Sequence, residues 1–361
     1  MNNYAIMDFA ILSIVVHQRY EDRGMKNNID TSRRKTPWDN SQEITYTQNF
    51  IKEKYQSNYR NKHPKLIETN ESALINSVEV GICPYCETDN IRKYGITKNK
   101  IQRYYCNNCH KTFTPITGTI FDNHKISIGE WIEFCLDIIN YGSITLVAKV
   151  NKNGVNTSIY WLHKLFLILK EYQKDIILKR NVYIDETFYS VIYSERQQKD
   201  GKFLRGLSKD KFCIGIGCDN RHTIAILEGM GKPNDEMTKT AFLTHIVPGS
   251  TLVHDDEKSH KILIKELNLE NKSYNSKYLK NLDDNKNPLN PINRKCDLLK
   301  KFLFSHSGFN RDDLQDYLNL FCFIVNSPHN KLKKIDILLN LALKTKVTLN
   351  YRTLFSKEGS D

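Results

Sequence analysis

The sequence predicts a chain of mixed α/β class in three parts: a small cysteine-clamped β module, a helical segment, and a mixed sheet covered by helices. Three observations carry this. Two Cys-x-x-Cys pairs bracket a short basic segment between residues 83 and 109. Apolar positions then recur at helical spacing between residues 128 and 170. From residue 181 the pattern turns strand-like and afterwards alternates between strand and helix, as in a sheet with helices on its faces.

Size and charge set the frame. A length of 361 residues allows two or three domains, at about 100–200 residues each. Hydrophobic content of 40% and aromatic content of 11% can fill their cores. Lys and Arg outnumber Asp and Glu by 53 to 41, a formal net charge of +12. That excess favours a polyanionic partner, with nucleic acid first, although basicity also serves solubility. The nine cysteines are odd in number and follow no secretory leader, which argues for a reducing compartment rather than a disulfide framework. The apolar run Tyr4–Val16 contains Asp8 and lacks a basic leader and a small-residue cleavage site. It is shorter than the roughly 20 residues that a membrane span needs, and it reads as a short packed helix. No other run reaches membrane length, so the expectation is a soluble, cytoplasmic protein without membrane contact.

Taken in order, residues 1–80 are polar and charge-mixed and read as a partly disordered or loosely helical extension. Residues 81–120 form the cysteine module: NIRKYGITKNKIQRYYC gives two short strands around a turn near Thr97–Lys100, and HKTFTPITGTIF closes it. Ser127 is a helix cap ahead of IGEWIEFCLDIIN, whose apolar positions repeat with helical spacing. SITLVAKVN and TSIYWLHKLFLILKEYQ, joined by a Gly-containing turn, complete a helical segment over 127–178. It matches a DNA-binding helix-turn-helix, with an ordinary helical hairpin as the alternative. Residues 181–327 form the α/β part. NVYIDETFYSVIY, KFCIGIGCDN and HTIAILEGM are its first strands, and the last two make a hairpin at Asp219–Asn220. A helix capped by Asn234, the strand STLVHDDEKSH, the helix HKILIKELNL and a short strand at KSYNS follow. NKNPLNPIN is expected as a loop before the helices RKCDLLKKFLFSH and RDDLQDYLNLFCFIVN. Residues 328–361 read as a basic helical tail.

Cys83-x2-Cys86 and Cys106-x2-Cys109, nineteen residues apart, fit the four-thiolate zinc pattern. Two residues between thiolates let one tight turn offer both sulfurs to a single ion at about 2.3 Å, and two such turns complete a tetrahedron. With all four positions filled, the zinc is structural, and it supplies much of the module's folding free energy. His110 is a less favoured swapped ligand. Arg92, Lys93, Lys98, Lys100, Arg103 and Lys111 alternate with Tyr94, Tyr104, Tyr105 and Phe113 along the module. That mixture suits phosphate contact and base stacking, or a solvated basic face.

Asp185 stands inside the apolar strand VYIDETF, where a carboxylate is costly unless paired or bound to a metal. Asp255 ends the strand TLVHD beside Asp256. Two strand-end carboxylates on neighbouring strands can share Mg²⁺ ions, the arrangement that phosphodiester cleavage requires.

The order of these segments resembles bacterial insertion-sequence transposases of the zinc-ribbon, acidic-triad (DDE-type) class, over roughly residues 80–325. VYIDETFYS, RGLSKDKFCIGIGCDN, STLVHDDEKSH, NPINRKCDLLKKFL and HSGFNRDDLQDYLNLF carry the resemblance. It implies a ribonuclease-H-like mixed sheet, Mg²⁺- or Mn²⁺-dependent DNA cleavage and strand transfer, and double-stranded DNA as partner, both the element's terminal inverted repeats and target DNA. It also implies a homo-oligomer on DNA and a nucleoid-associated bacterial protein. Carried over by position, Asp185 and Asp255 are the first and second acids, and Asn293 opens the last motif. Where the family usually has Glu or His, this chain has Cys296, with Asp297 next. A thiolate is a poor Mg²⁺ ligand, which leaves Asp297, Asn293, His306 or Glu266 to complete the set. A non-catalytic DNA-binding regulator, an inactive relic, and a zinc-containing nuclease outside transposition are the other readings.

Overall fold

The computed structural model describes residues 45–60, 71–122, 127–151, 153–196, 198–199, 202–203, 210–279 and 282–356. The expected Tyr4–Val16 helix and residues 205–209 of RGLSKDK lie outside them. The described residues fall into two compact units, the first of residues up to Thr117 with those from 127 to Ile132, the second of Gly118–Asp122 with those from Glu133 onward.

In the first unit, helices α1 (Tyr46–Arg60) and α2 (Glu71–Asn76) precede a three-stranded antiparallel ribbon. Its strands are β1 (Ile91–Ile96), β2 (Gln102–Cys106) and β3 (Thr112–Phe113). Ile91 pairs with Cys106 and Tyr104 with Phe113. Thr97 Oγ1 accepts the Ile101 amide at 3.0 Å and closes the hairpin turn. Asn76, at the end of α2, donates to Lys100 O and accepts from the Gln102 amide, which ties that helix to the hairpin. Helix α3 (Ile128–Ile139) contains the division between the units, at Ile132 and Glu133.

In the second unit, α4 (Ile144–Val150) starts at its Ser143 cap and α5 (Val155–Leu169) at Gly154. The sheet opens with β4 (Asn181–Ser190). A two-residue hairpin, β5 (Gln198–Lys199) and β6 (Lys202–Phe203), lies outside the main sheet. Strands β7 (Lys211–Cys218) and β8 (Thr223–Met230) are joined at Asp219, whose Oδ1 accepts the Arg221 and His222 amides. Helix α6 (Asp235–Phe242) is capped by Asn234, which accepts the Met237 amide at 3.0 Å. β9 (Thr251–Asp255), α7 (Lys261–Glu266), β10 (Glu270–Tyr274) and the short α8 (Ser276–Leu279) come next. The strand order is β10-β9-β4-β7-β8. β4, β7 and β8 form an antiparallel meander, and β9 and β10 add parallel to β4 on its other side. An antiparallel trio extended by two strands parallel to its first member is the ribonuclease-H-like arrangement.

Alternation along β4 assigns its two faces. Val182 and Ile184 enter a core with Phe242 of α6, Leu252 of β9 and Leu263 of α7. Tyr183, Asp185 and Thr187 point to the opposite face. There helix α9 (Asn290–Ser305) packs, followed by α10 (Leu314–Val325), α11 (Lys331–Lys344) and α12 (Tyr351–Ser356). Helix α9 begins four residues before the expected Arg294. Pro291 sits in its first turn, where the missing N–H has no intrahelical partner to lose and the ring pre-sets φ, so proline starts the helix rather than prolonging the loop. Helix α11 buries Leu332, Ile335, Leu338, Leu339, Ala342 and Leu343, a continuous apolar stripe that packs it into the core.

The outer edge of β8 is covered by side-chain amides. Gln173 accepts the Ala225 amide and donates to the Ala225 carbonyl, at 2.7 and 2.9 Å. Asn326 does the same for Thr223, at 2.7 and 2.8 Å, and Gln315 accepts the Leu227 amide at 2.8 Å. Residues 223, 225 and 227 are the outward-facing backbone groups of that edge. Among the described residues, no helix is long and apolar enough to cross a membrane.

Candidate metal centres

The ribbon brings Cys83, Cys86, Cys106 and Cys109 together, with their sulfurs within 4.8 Å of one another. Cys83 Sγ lies 3.6 Å from Cys109 Sγ, and Cys86 Sγ lies 3.5 Å from Cys106 Sγ. Four sulfurs at about 2.3 Å around a tetrahedral ion stand about 3.8 Å apart, so the cluster fits zinc with slight expansion. Burial opposes ionisation of Cys106, but the amides of Cys109 and Asn108, with the Cys86 and Cys109 thiols, outweigh it and bring the thiol down to about 6, while burial pushes its neighbour Cys86 up to about 12. A thiolate is the form that binds metal. His110 is turned away from the cluster: its Nδ1 pairs with Tyr105 Oη at 2.9 Å.

The outer face of the ribbon is basic and aromatic. Arg92 lies opposite Tyr105 across the strands, with its guanidinium 4.9 Å from that ring and 5.6 Å from Tyr94. Arg103 stacks on Tyr94 at 5.5 Å. On the inner face, Tyr104 stacks on Phe113 at 5.7 Å beside the cysteine core. Tyr85 meets Phe113 edge-on and carries Lys111 over its ring at 4.6 Å. Helix α5 offers much less. Eight of its fifteen residues are buried, from Ser158 to Leu169, leaving its exposed part at Val155 and Asn156.

The second centre lies where β4 and β9 run side by side. Ile184 pairs with His254, so the next residues, Asp185 and Asp255, come abreast. Carboxylate oxygens of Asp185, Glu186 and Asp255 lie within 4.8 Å of one another. Asp185 Oδ1 accepts its neighbour Glu186's amide at 2.9 Å, and Oδ2 accepts the Cys296 thiol at 3.6 Å. Asp255 Oδ1 accepts the Glu257 amide at 3.1 Å. Burial, with the charges of Glu186 and Asp255, raises Asp185 to about 6. Burial likewise raises Asp255. Carboxylates crowded in this way favour a bound cation, and an all-oxygen set fits Mg²⁺ or Mn²⁺. Burial and the adjacent Asp185 keep the Cys296 thiol protonated, so it acts as a donor to the carboxylate.

Of the residues singled out in the sequence, Asp185 and Asp255 meet. Asn293 stands one turn before Cys296 on the same face of α9, half-buried, whereas Asp297 is exposed. Glu266 is engaged elsewhere by Lys239 at 3.1 Å. His306, at the end of α9, is buried among Phe302 and Tyr317.

Four further residues belong to this region and were not anticipated. Glu186 turns to the α6 side of the sheet and accepts from His260 Nε2 at 2.6 Å. His260 Nδ1 lies 2.9 Å from His254 Nδ1, and His254 Nε2 lies 3.0 Å from Asn271 Oδ1. Burial would lower His260, but the hydrogen bond and charge of Glu186 hold it above its usual value; burial lowers His254. Glu228 lies over Gly215, the residue paired with Glu186. A Cβ at Gly215 would come within 2.2 Å of Glu228 Oε1 and 2.7 Å of the Phe242 ring, so only glycine leaves this space. Burial, then the charge of Glu186, raises Glu228 to about 8. The available signals were the Asp-Glu doublet in VYIDETF and the two histidines flanking the acids in HDDEKSH.

One curated relative belongs to a mobile element. It is an uncharacterized protein in transposable element ISH50 of Halobacterium salinarum, 35% identical over 49 residues, or 14% of this chain. The chain spans only 16% of that relative's length. No protein-family model matches the chain. Two solved structures, a pre-cleavage Mos1 transpososome and the Mos1 strand transfer complex, align at a TM-score of 0.26 with 11% and 12% identity. Each alignment covers 64% of this chain, with 78% and 77% of the other chain. The Mos1 mariner paired end complex with Mn aligns at the same score and 12% identity, over 58% of this chain and 75% of its own. A score that low carries no argument, and the fold assignment rests on the strand order.

Proposed function

We propose that this chain is a DNA transposase of the zinc-ribbon, acidic-triad insertion-sequence class. The observation that carries the reading is the meeting of Asp185 and Asp255 at adjacent parallel strands of a five-stranded ribonuclease-H-like sheet. The short match to a protein of a mobile element supports it. In this reading the Cys83, Cys86, Cys106 and Cys109 site holds a structural zinc, and the Arg92–Tyr94–Arg103–Tyr105 face grips the element's ends. Asp185 and Asp255 are the metal-binding acids, each with one oxygen fixed by a backbone amide so that its carboxyl plane is preset. A bound Mg²⁺ or Mn²⁺ supplies activation of the attacking oxygen and charge stabilisation on the leaving one. Asn293, on the helix face of Cys296, is better placed than exposed Asp297 to complete the set. A homo-oligomer working on two DNA ends in the bacterial cytoplasm belongs to the same proposal.

The test is nicking of DNA carrying the element's ends, with Mg²⁺ or Mn²⁺. Wild type is expected to nick and Asp185→Asn to lose at least about 100-fold, as when a principal electrostatic group is removed. Equal nicking by both proteins would sink the assignment. A second reading, a non-catalytic DNA-binding relic, is favoured by the protonated Cys296 in the position of the usual third acid. It predicts wild-type protein that binds the ends and never nicks them.

A further inference from the structure

On the α6 side of the sheet, two buried histidines face one another. His260 is 0% and His254 3% exposed. Each has its Nε2 committed to an oxygen acceptor: Asn271 Oδ1 for His254 and Glu186 Oε1 for His260. An oxygen acceptor requires Nε2 to carry the proton, so in each neutral ring Nδ1 is a lone pair. The two Nδ1 atoms stand 2.9 Å apart. Opposed at that distance, away from water, the two lone pairs repel unless a cation, a metal ion or a proton shared by the rings, lies against both. Asp255 closes the group, with a carboxylate oxygen within 4.8 Å of the histidine ligand atoms.

We propose that His254, His260 and Asp255 bind a first-row transition-metal ion, distinct from the all-oxygen ion of the acid pair and sharing Asp255 with it. Two metal–nitrogen bonds of about 2.1 Å at a right angle set their nitrogens about 3.0 Å apart, close to the observed spacing. A tetrahedral angle would need about 3.4 Å by the same bond length, so the spacing suits a five- or six-coordinate ion. The outer partners have the form that such sites use: each ligating ring donates its other N–H to an oxygen that fixes tautomer and orientation. Glu186, whose side chain is buried on the same face against His260, adds negative charge that a dication offsets. Imidazole nitrogen selects borderline transition ions over Mg²⁺. The site therefore refines the metal requirement of the proposed transposase, and it rests on that reading only for its part in catalysis.

The experiment is pulsed electron paramagnetic resonance of Mn²⁺ added to the zinc-loaded full chain. Mn²⁺ avoids thiolate and leaves the four-cysteine site in place. Expected are ¹⁴N couplings from imidazole that persist in excess Mg²⁺ and vanish in His260→Ala. Asn271→Ala, which keeps both rings, should weaken Mn²⁺ binding by about 10–100-fold. Bound Mn²⁺ with oxygen ligands alone, or an unchanged affinity in Asn271→Ala, would overturn the site; a proton shared by the two rings would give that result. Asp185→Asn separates the two readings. It should abolish nicking and keep the ¹⁴N couplings, whereas nicking by that variant with couplings intact defeats the transposase assignment alone.

Discussion

At Asp185 a carboxylate occupies a central strand where an apolar side chain would pack without cost. Its carboxyl is raised from 3.8 to about 6, burial being the main cause. The folded protein thus holds this proton more tightly than the unfolded chain. The stability that the proton confers is complete below about pH 4 and is lost as pH rises to about 6. That difference corresponds to about 3 kcal/mol. Asp185→Asn should therefore melt several degrees higher than wild type at pH 7 without added divalent ions, with the gain shrinking towards pH 4. Thermal scans across that range check it; an equal or lower melting point at pH 7 would contradict the strain assigned to this residue. The same conflict made Asp185 legible in the sequence, because a lone acid in VYIDETF violates the strand's apolar pattern. Glu186 was not legible in the same way. Its role follows from facing the other side of β4, where His260 arrives from 74 positions away in the chain.

Elements bounded by strong local chemistry were the readable ones. The β7–β8 hairpin follows from its Asp219 turn, α6 from its Asn234 cap, and the ribbon from paired cysteines. Helix α9 was placed too late because its signal is a proline, which marks a loop or a helix start according to the residues around it. The burial of α5 was invisible, since its apolar run does not say which neighbours cover it. At this scale the ribbon makes a direct prediction. Its core of Cys83, Cys106 and Phe113 is small, so the zinc of the proposed four-cysteine site would supply much of its folding free energy. Cys106→Ser in the full chain should lose one equivalent of zinc and its affinity for the element's ends, while the sheet still binds Mn²⁺. Metal analysis and a DNA-binding titration test this; retained zinc and affinity would refute it.

For the whole molecule, the net charge of +12 has at least one defined outlet, the outer ribbon face. Arg92 and Arg103 there stack on tyrosines rather than on acids. Replacing both by Ala should weaken binding of DNA ends and reduce the salt slope by about 2, close to one for each phosphate contact. An unchanged slope would mean that DNA is held elsewhere.

The amides of Gln173, Gln315 and Asn326 along β8 have a consequence for assembly. An open sheet edge is a template on which another chain can add a strand. Here three side chains from outside the sheet already occupy that template, each matching the backbone group that an incoming strand would need. Growth of the sheet at this end is foreclosed by imitation of the next strand. Copies of this chain brought close together are thereby kept from joining through fibre-like edge pairing at this margin.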